Sequence, residues 1–225
     1  MKYLYLSAAV APLLLVTPAH AQGKDAGAKS NAEAVFSTGV AKGRDRLDSA
    51  TSTSALRESE IEVLGARSLG EVLRNIPGIR AEYAVGEGNN NYSIRGLPLS
   101  GTGSKYVQFQ EDGLPVLEFG DMYQLGVDMF MRGDLNLSAI ETIRGGSAST
   151  FASNSPGGVI NLISKTGTTE GGAVQATYGL NYGEKRVEGD YGYKISDTVR
   201  MHIGGFYRQG EGPRDVGFTA YKGGQ

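Results

Sequence analysis

Between Ala173 and Arg208 the chain alternates, one residue at a time, between side chains suited to hydrocarbon and side chains suited to water, and it does so in three successive runs. In the first run Val174, Ala176, Tyr178, Leu180 and Tyr182 share one face of a strand, and Gln175, Thr177, Gly179 and Asn181 share the other. The second run sets Val187, Gly189, Tyr191, Tyr193 and Ile195 against Arg186, Glu188, Asp190, Gly192 and Lys194, with a turn at Ser196-Asp197. A third sets Val199, Met201, Ile203, Gly205 and Tyr207 against Arg200, His202, Gly204, Phe206 and Arg208. None of the fifteen residues on the first face is charged, while the opposite faces carry six charges. A half-buried sheet in a soluble sandwich also alternates, but six charges are too many for a dry core. The pattern instead suits strands of about 9 to 11 residues with one face in lipid and the other towards a polar lumen. Tyrosines near the strand ends suit an interfacial aromatic belt. Three strands cannot close a cylinder, and an open edge in lipid would leave backbone groups unpaired at several kcal/mol each. Residues 171–225 are therefore expected to be the start of a transmembrane β-barrel, truncated.

The N-terminus points to the same compartment. Lys2, the apolar run Leu4 to Val16 and the small-residue site Ala19-His20-Ala21 form a secretory signal peptide over residues 1–21. The apolar run falls short of the roughly 20 residues that a spanning helix needs. There is no Cys, so folding of the exported protein owes nothing to disulfides. After cleavage 21 basic side chains face 24 acidic ones, a balance that gives no reason to expect a nucleic-acid partner.

Residues 22–52 mix charges with Gly, Ala and Ser and cannot bury a core, so they are expected to form a flexible segment. A folded unit is expected over 53–167. Ser68-x-x-Glu71 is a capping box, and Leu69, Val72, Leu73 and Ile76 place one apolar stripe on a short helix ended by Pro77-Gly78. Ile79 to Tyr83 and Tyr92 to Ile94 are strand-like around a polar loop at 84–91. Tyr106 to Phe109 and Leu114 to Val116 flank Asp112-Gly113, a strong hairpin signal. Glu141 to Arg144 leads into Gly145-Gly146, and Pro156-Gly157-Gly158 launches a second buried strand from Val159 to Ile163.

The stretch AIETIRGGSASTFASNSPGGVINLISKT, residues 139–166, resembles the most recognisable segment of the plug domain of TonB-dependent outer-membrane receptors. SLGEVLRNIPGI, residues 68–79, resembles the first plug helix, and SIRGL, residues 93–97, the family's internal strand motif. The resemblance implies a mixed α/β plug domain followed by the first three antiparallel strands of a transmembrane β-barrel, which would have about 22 strands in the full-length protein. It further implies a receptor in the outer membrane of a Gram-negative cell that binds and actively imports a scarce solute, with the plug as gate. Its partners would be the TonB energy-coupling protein, outer-membrane lipid and a small-molecule ligand such as a metal chelate, with no cofactor and no resident metal. Siderophores and other metal complexes, cobalamin, carbohydrates and peptides are all carried by relatives, so the resemblance leaves the cargo open.

Three groups of site residues follow from it. EAVFSTGV, residues 33–40, looks like the TonB box, which pairs with the coupling protein as an added strand; the candidates are Glu33, Ala34, Val35, Phe36, Ser37 and Thr38, and a plain linker is the other reading. The family's outward loops map to 83–91 and 119–132, giving Tyr83, Glu87, Asn89, Asn90, Met122, Tyr123 and Met129 as ligand contacts; solvated turn residues and core methionines are the alternative. Arg95 and Arg144 lie within β-prone runs and are expected to pair with acids of the barrel wall, Glu141 being the partner within reach of the sequence.

Enzyme chemistry lacks raw material. His202 is the only His left after cleavage, and Gly145-Gly146-Ser147-Ala148-Ser149 lacks the final Gly of a nucleophile elbow. Gly101 to Lys105 lacks the spacing of a phosphate loop. The alternative from another class is a soluble periplasmic module, made of the plug alone, that binds a partner or solute.

Overall fold

The computed structural model describes residues 52–66, 68–82, 90–98, 106–116, 126–145, 155–180 and 183–210, together with Val35–Phe36, Thr38, Arg44–Asp45, Gly88, Ala148 and Ala152. The expected signal peptide lies outside the described residues.

Within the segment expected to be flexible and unpaired, Val35–Phe36 (β1) pairs antiparallel with Arg44–Asp45 (β2). Next come β3 (Ser52–Arg57) and the helix α1 (Glu58–Leu64), which the sequence reading did not anticipate. The reason is physical: α1 has no fully buried residue, sets only Ile61 and Leu64 partly against the core and leaves Val63 87% exposed, so its apolar stripe is too short to read. Its ends are nonetheless sound. Glu60 reaches back to accept the Arg57 backbone N–H at 2.9 Å, and Gly65 closes the helix at φ 54°, a left-handed conformation that costs glycine little.

The predicted capped helix is α2 (Leu69–Leu73). The backbone N–H of Glu71 donates to the Ser68 hydroxyl at 3.3 Å, as the spacing requires. The helix is shorter than its apolar stripe, because Ile76 is buried from the turn that follows. The two strand-like runs are β4 (Ile79–Glu82) and β5 (Asn91–Ile94), and they pair antiparallel with one another.

A five-stranded sheet of order β3-β8-β9-β6-β7 is the frame of this unit. β6 (Val107–Glu111) and β7 (Leu114–Pro115) form the hairpin, with Asp112 and Gly113 at φ 51° and 83°, the positive values that a tight turn of this kind needs. β8 (Leu137–Arg144) and β9 (Gly158–Ser164) are antiparallel to one another, while β9 runs parallel to β6. Gly157 must be glycine here: a Cβ would stand 2.8 Å from both the Leu97 side chain and the Tyr106 carbonyl. One face of the sheet packs Phe109, Ile140, Ile160 and Leu162 onto α2, with Tyr92 edge-on to Phe109 at 5.1 Å between ring centres. The other face holds a smaller cluster of Ile143, Ala148, Ala152 and Val159.

The three alternating runs form a separate antiparallel sheet of β10 (Gly171–Gly179), β11 (Glu184–Lys194) and β12 (Arg200–Gln209). Ala176 faces Val187, which faces Tyr207, and Tyr191 faces Ile203, so the uncharged residues share one face across the sheet.

Candidate functional site

The charged face of the three-stranded sheet lies against the α/β unit, and the seam between them is ionic. Lys165, just after β9, donates to Asp190 of β11 at 3.1 Å and pairs with Glu58 of α1 at 2.6 Å. His202 Nε2 lies 3.1 Å from the same Asp190 oxygen. Burial alone would lower the Lys165 pKa, but the hydrogen bonds to Glu58 and Asp190 outweigh it and hold the ammonium above its ordinary value of 10.5. Next along β11, Glu188 accepts the Leu135 backbone N–H at 3.3 Å and pairs with Arg186 at 2.6 Å. Arg186 in turn donates to the Gly133 carbonyl at 3.3 Å and stacks over Phe206. Arg208 donates to Glu184 at 2.8 Å. Glu184, Arg186 and Glu188 are buried, whereas Val174, Ile203 and Tyr207 on the other face are 78%, 65% and 64% exposed. The sheet is thus uncharged on its exposed face and charged on its covered one, the inverse of a soluble sheet. Lys185 marks the end of the outward apolar band, opposite Tyr178 and Gln209.

A second site joins the two loops expected to face outward. Asp128 sits in a single 3-10 turn (Val127–Met129) and is 2% exposed. Its carboxylate accepts the Asn90 backbone N–H at 3.1 and 3.2 Å, the Asn90 side-chain amide at 2.6 Å and the Tyr92 hydroxyl at 2.7 Å. Asn90, expected among ligand contacts, is fully buried and committed to Asp128; it builds the loop and does not present its side chain outward. Met129 is 42% exposed beside it, with Phe130 at 57%. Tyr83, Glu87, Asn89, Met122 and Tyr123 lie outside the described residues.

A third site ties down the N-terminal segment. The Thr38 backbone N–H donates to Glu141 Oε2 at 2.7 Å, the Thr38 hydroxyl donates to the same oxygen, and Asn161 donates to that hydroxyl at 3.0 Å. Glu141 and Asn161 are register partners across β8 and β9, so Thr38 is stitched to the middle of the sheet. Among the other TonB-box candidates, Val35 and Phe36 form β1, already paired with β2, while Glu33, Ala34 and Ser37 lie outside the described residues. The idea that Glu141 serves Arg144 needs correction. Three residues apart on one strand, their side chains leave opposite faces. Arg144 donates instead to the carbonyls of Pro77 and, at 3.1 Å, of Thr53. Arg95, at φ 51° and exposed, lies with Arg144 around Gly78, whose Cβ would stand 3.7 Å from one side chain and 3.8 Å from the other.

Asp128, Lys165 and Glu58 were not among the residues singled out from sequence. A lone acid in the apolar run Val127 to Met131 was the available signal for Asp128, and a Lys closing an apolar strand the signal for Lys165.

The plug-domain model of the TonB-dependent receptors, described as "TonB-dependent Receptor Plug Domain", matches residues 45–159, just over half of the chain. This chain belongs to that family. PirA of Acinetobacter baumannii, which carries the name of a TonB-dependent siderophore receptor, is 26% identical over 136 residues, covering 56% of this chain and 18% of PirA. The vitamin B12 transporter BtuB of Vibrio cholerae is 30% identical over 150 residues, covering 66% of this chain and 23% of BtuB. Among solved structures, the alcaligin outer-membrane receptor FauA of Bordetella pertussis superposes with a TM-score of 0.60 at 22% identity, over 79% of this chain and 29% of FauA, a likeness of fold. The chain spans about a fifth of the length of the curated relatives it matches. In the terms of the TonB-dependent receptor family, the α/β unit is the plug and the three-stranded sheet a piece of barrel wall.

Proposed function

We propose that this chain is the plug-bearing segment of an outer-membrane receptor that binds a scarce solute at its outer loops and imports it with energy delivered by TonB. The observation that carries this reading is the inverted sheet: its uncharged face is open over three strands while its charged face is occupied by the plug. A soluble module would expose such an apolar face to water, against the hydrophobic effect. In lipid the same face is at home.

The organisation that suits this reading is a signal peptide at 1–21, a periplasmic segment at 22–52 with the coupling box at 33–38, a plug at 53–167 and barrel strands from 171. Ligand contact is assigned to Tyr83, Glu87, Asn89, Met122, Tyr123 and Met129, and Asn90 is withdrawn to a structural role. The relatives named for siderophores and vitamin B12 support a metal chelate or cobalamin as cargo ahead of a carbohydrate-like solute or a peptide. Arg95 and Arg144, gathered at Pro77-Gly78, suit a contact with acids of the barrel wall.

The test is uptake by the complete reading frame in a Gram-negative strain stripped of its own receptors, using iron-55 chelates of catecholate, hydroxamate and citrate type and radiolabelled cyanocobalamin. Uptake of one probe that vanishes on deletion of TonB is the expected result. A product found free in the periplasm, or uptake indifferent to TonB, would overturn the reading.

A further inference from the structure

Asp128 carries more hydrogen bonds than a loop residue needs for its own turn. The turn closes without its side chain: Met129 donates to the Gly126 carbonyl, Phe130 to that of Val127, and Arg132 caps the Asp128 carbonyl at 2.7 Å. The carboxylate is therefore available for the other loop, 38 residues earlier, where it collects the Asn90 backbone, the Asn90 amide and the Tyr92 hydroxyl. The contact is close on both sides. A Cβ on Gly88 would meet Met129 Cα at 3.5 Å, and one on Gly70 of α2 would meet the Asn90 amide nitrogen at 3.3 Å. Tyr92 continues the chain of contacts into the core through Phe109.

A buried carboxylate is costly, and an apolar replacement of the same volume often stabilises as well or better. What a charge with several donors supplies instead is a single geometry. The same turn that points Asp128 inward leaves Met129 and Phe130 on the surface, so fixing the carboxylate fixes the exposed pair relative to Asn90 and Tyr92.

We propose that Asp128 is a positioning residue that locks the 126–131 turn to the Asn90–Tyr92 segment, two loops that then act as one ligand-contacting platform. The ligand part rests on the function proposed above; the locking of the loops does not.

Two readouts on the full-length receptor separate them. Hydrogen exchange on detergent-purified protein is compared for wild type, Asp128→Asn and Tyr92→Phe. Both variants are expected to speed exchange about tenfold or more in both loops together, the factor implied by losing one hydrogen bond to a charged acceptor, with β8 and β9 unchanged. Loosening of one loop alone, or of neither, overturns the lock, and equal loosening of β8 and β9 reduces Asp128 to a general stability residue and overturns it too. Should Asp128→Asn fail to fold, Tyr92→Phe removes one hydroxyl and decides the matter. In uptake with the same iron-55 chelates and cyanocobalamin, the variants are expected to raise the half-saturating concentration about tenfold with the maximal rate and receptor level unchanged. Both loops loosened with half-saturation unmoved overturns the platform. If no probe is taken up by wild type, the metal-chelate and cobalamin cargoes fail, and exchange alone judges the lock.

Discussion

The five-stranded sheet of the plug and the three-stranded sheet beside it obey the same period of two but bury opposite halves of it. In the plug, Phe109, Ile140 and Ile160 point into a dry core, and the charged Glu141 of β8 leaves the opposite face, where Thr38 covers it. In the neighbouring sheet, Val174, Ile203 and Tyr207 point out, and Glu184, Arg186 and Glu188 are enclosed. Alternation therefore states only that two environments exist. Which is interior depends on the solvent: water outside the plug's own core, lipid outside the barrel wall. The seam between the sheets is the place where the conventions meet, and it is closed by ion pairs such as Lys165 with Asp190 and Glu58.

Substitutions on the two sheets can break or sharpen this contrast. The largest effect is expected for Phe109→Ala, which hollows a fully buried site and should cost the plug about 3–5 kcal/mol. Urea-dependent proteolysis of the full-length receptor should show the plug opening at lower urea while the heat-modifiable mobility of the barrel stays; joint loss would mean that the two sheets fold as one unit. Ile203→Arg should cost about 2–4 kcal/mol if that face lies in lipid near the midplane. Reduced heat-modifiable mobility in outer-membrane fractions checks it, with Ile203→Leu as the harmless control, and an unaffected Arg variant would remove the lipid from the comparison.

At the seam, Lys165→Met should loosen plug docking by about 1.5–3 kcal/mol, as expected for a lost charged hydrogen-bond donor. Because the folded-state pKa of Lys165 lies above its unfolded value of 10.5, this contribution is fully present below that value and is lost as pH rises through the folded pKa. Plug protection against protease should thus be level from pH 7 to about 10 and fall above 10.5 in wild type, with the variant lacking that fall. The smallest effect is expected for Arg144→Ala, about 1 kcal/mol, since its bonds to Pro77 and Thr53 carbonyls are partly solvated. Slightly faster cleavage of the plug is the expected readout, and unchanged cleavage would leave Arg144 without a docking role.

What could be read from the chain was local. The Ser68 cap, the Asp112-Gly113 turn and the alternation from residue 171 each arise from interactions within a few residues, so their signature is written at one place. Helix α1 escaped because only Ile61 and Leu64 of its two turns face the core, too short a run for a helical period to stand out. Asn90 was misassigned for a related reason: in sequence it looks like a solvated loop amide, and only a partner 38 residues away makes it buried. Likewise Glu141 looked like a match for nearby Arg144, but a strand sends residues three apart to opposite sides, and its acceptor went to Thr38, 103 residues distant.

The order of side chains along 171–210 was enough to define two faces of unlike polarity, because the pleat assigns faces by parity alone. Which charges on the inner face would meet which partners was settled by packing. Lys165, Asp190, His202 and Glu58 come from four different elements or connections, and their meeting depends on how the plug sheet is laid against the wall. The parallel pairing of β6 with β9 and the Asp128 junction belong to the same category. No local periodicity encodes a contact between distant segments; the chain's folding brings it about, and among the described residues enclosed carboxylates such as Asp128, Glu141 and Asp190 each meet donors from a distant part of the chain.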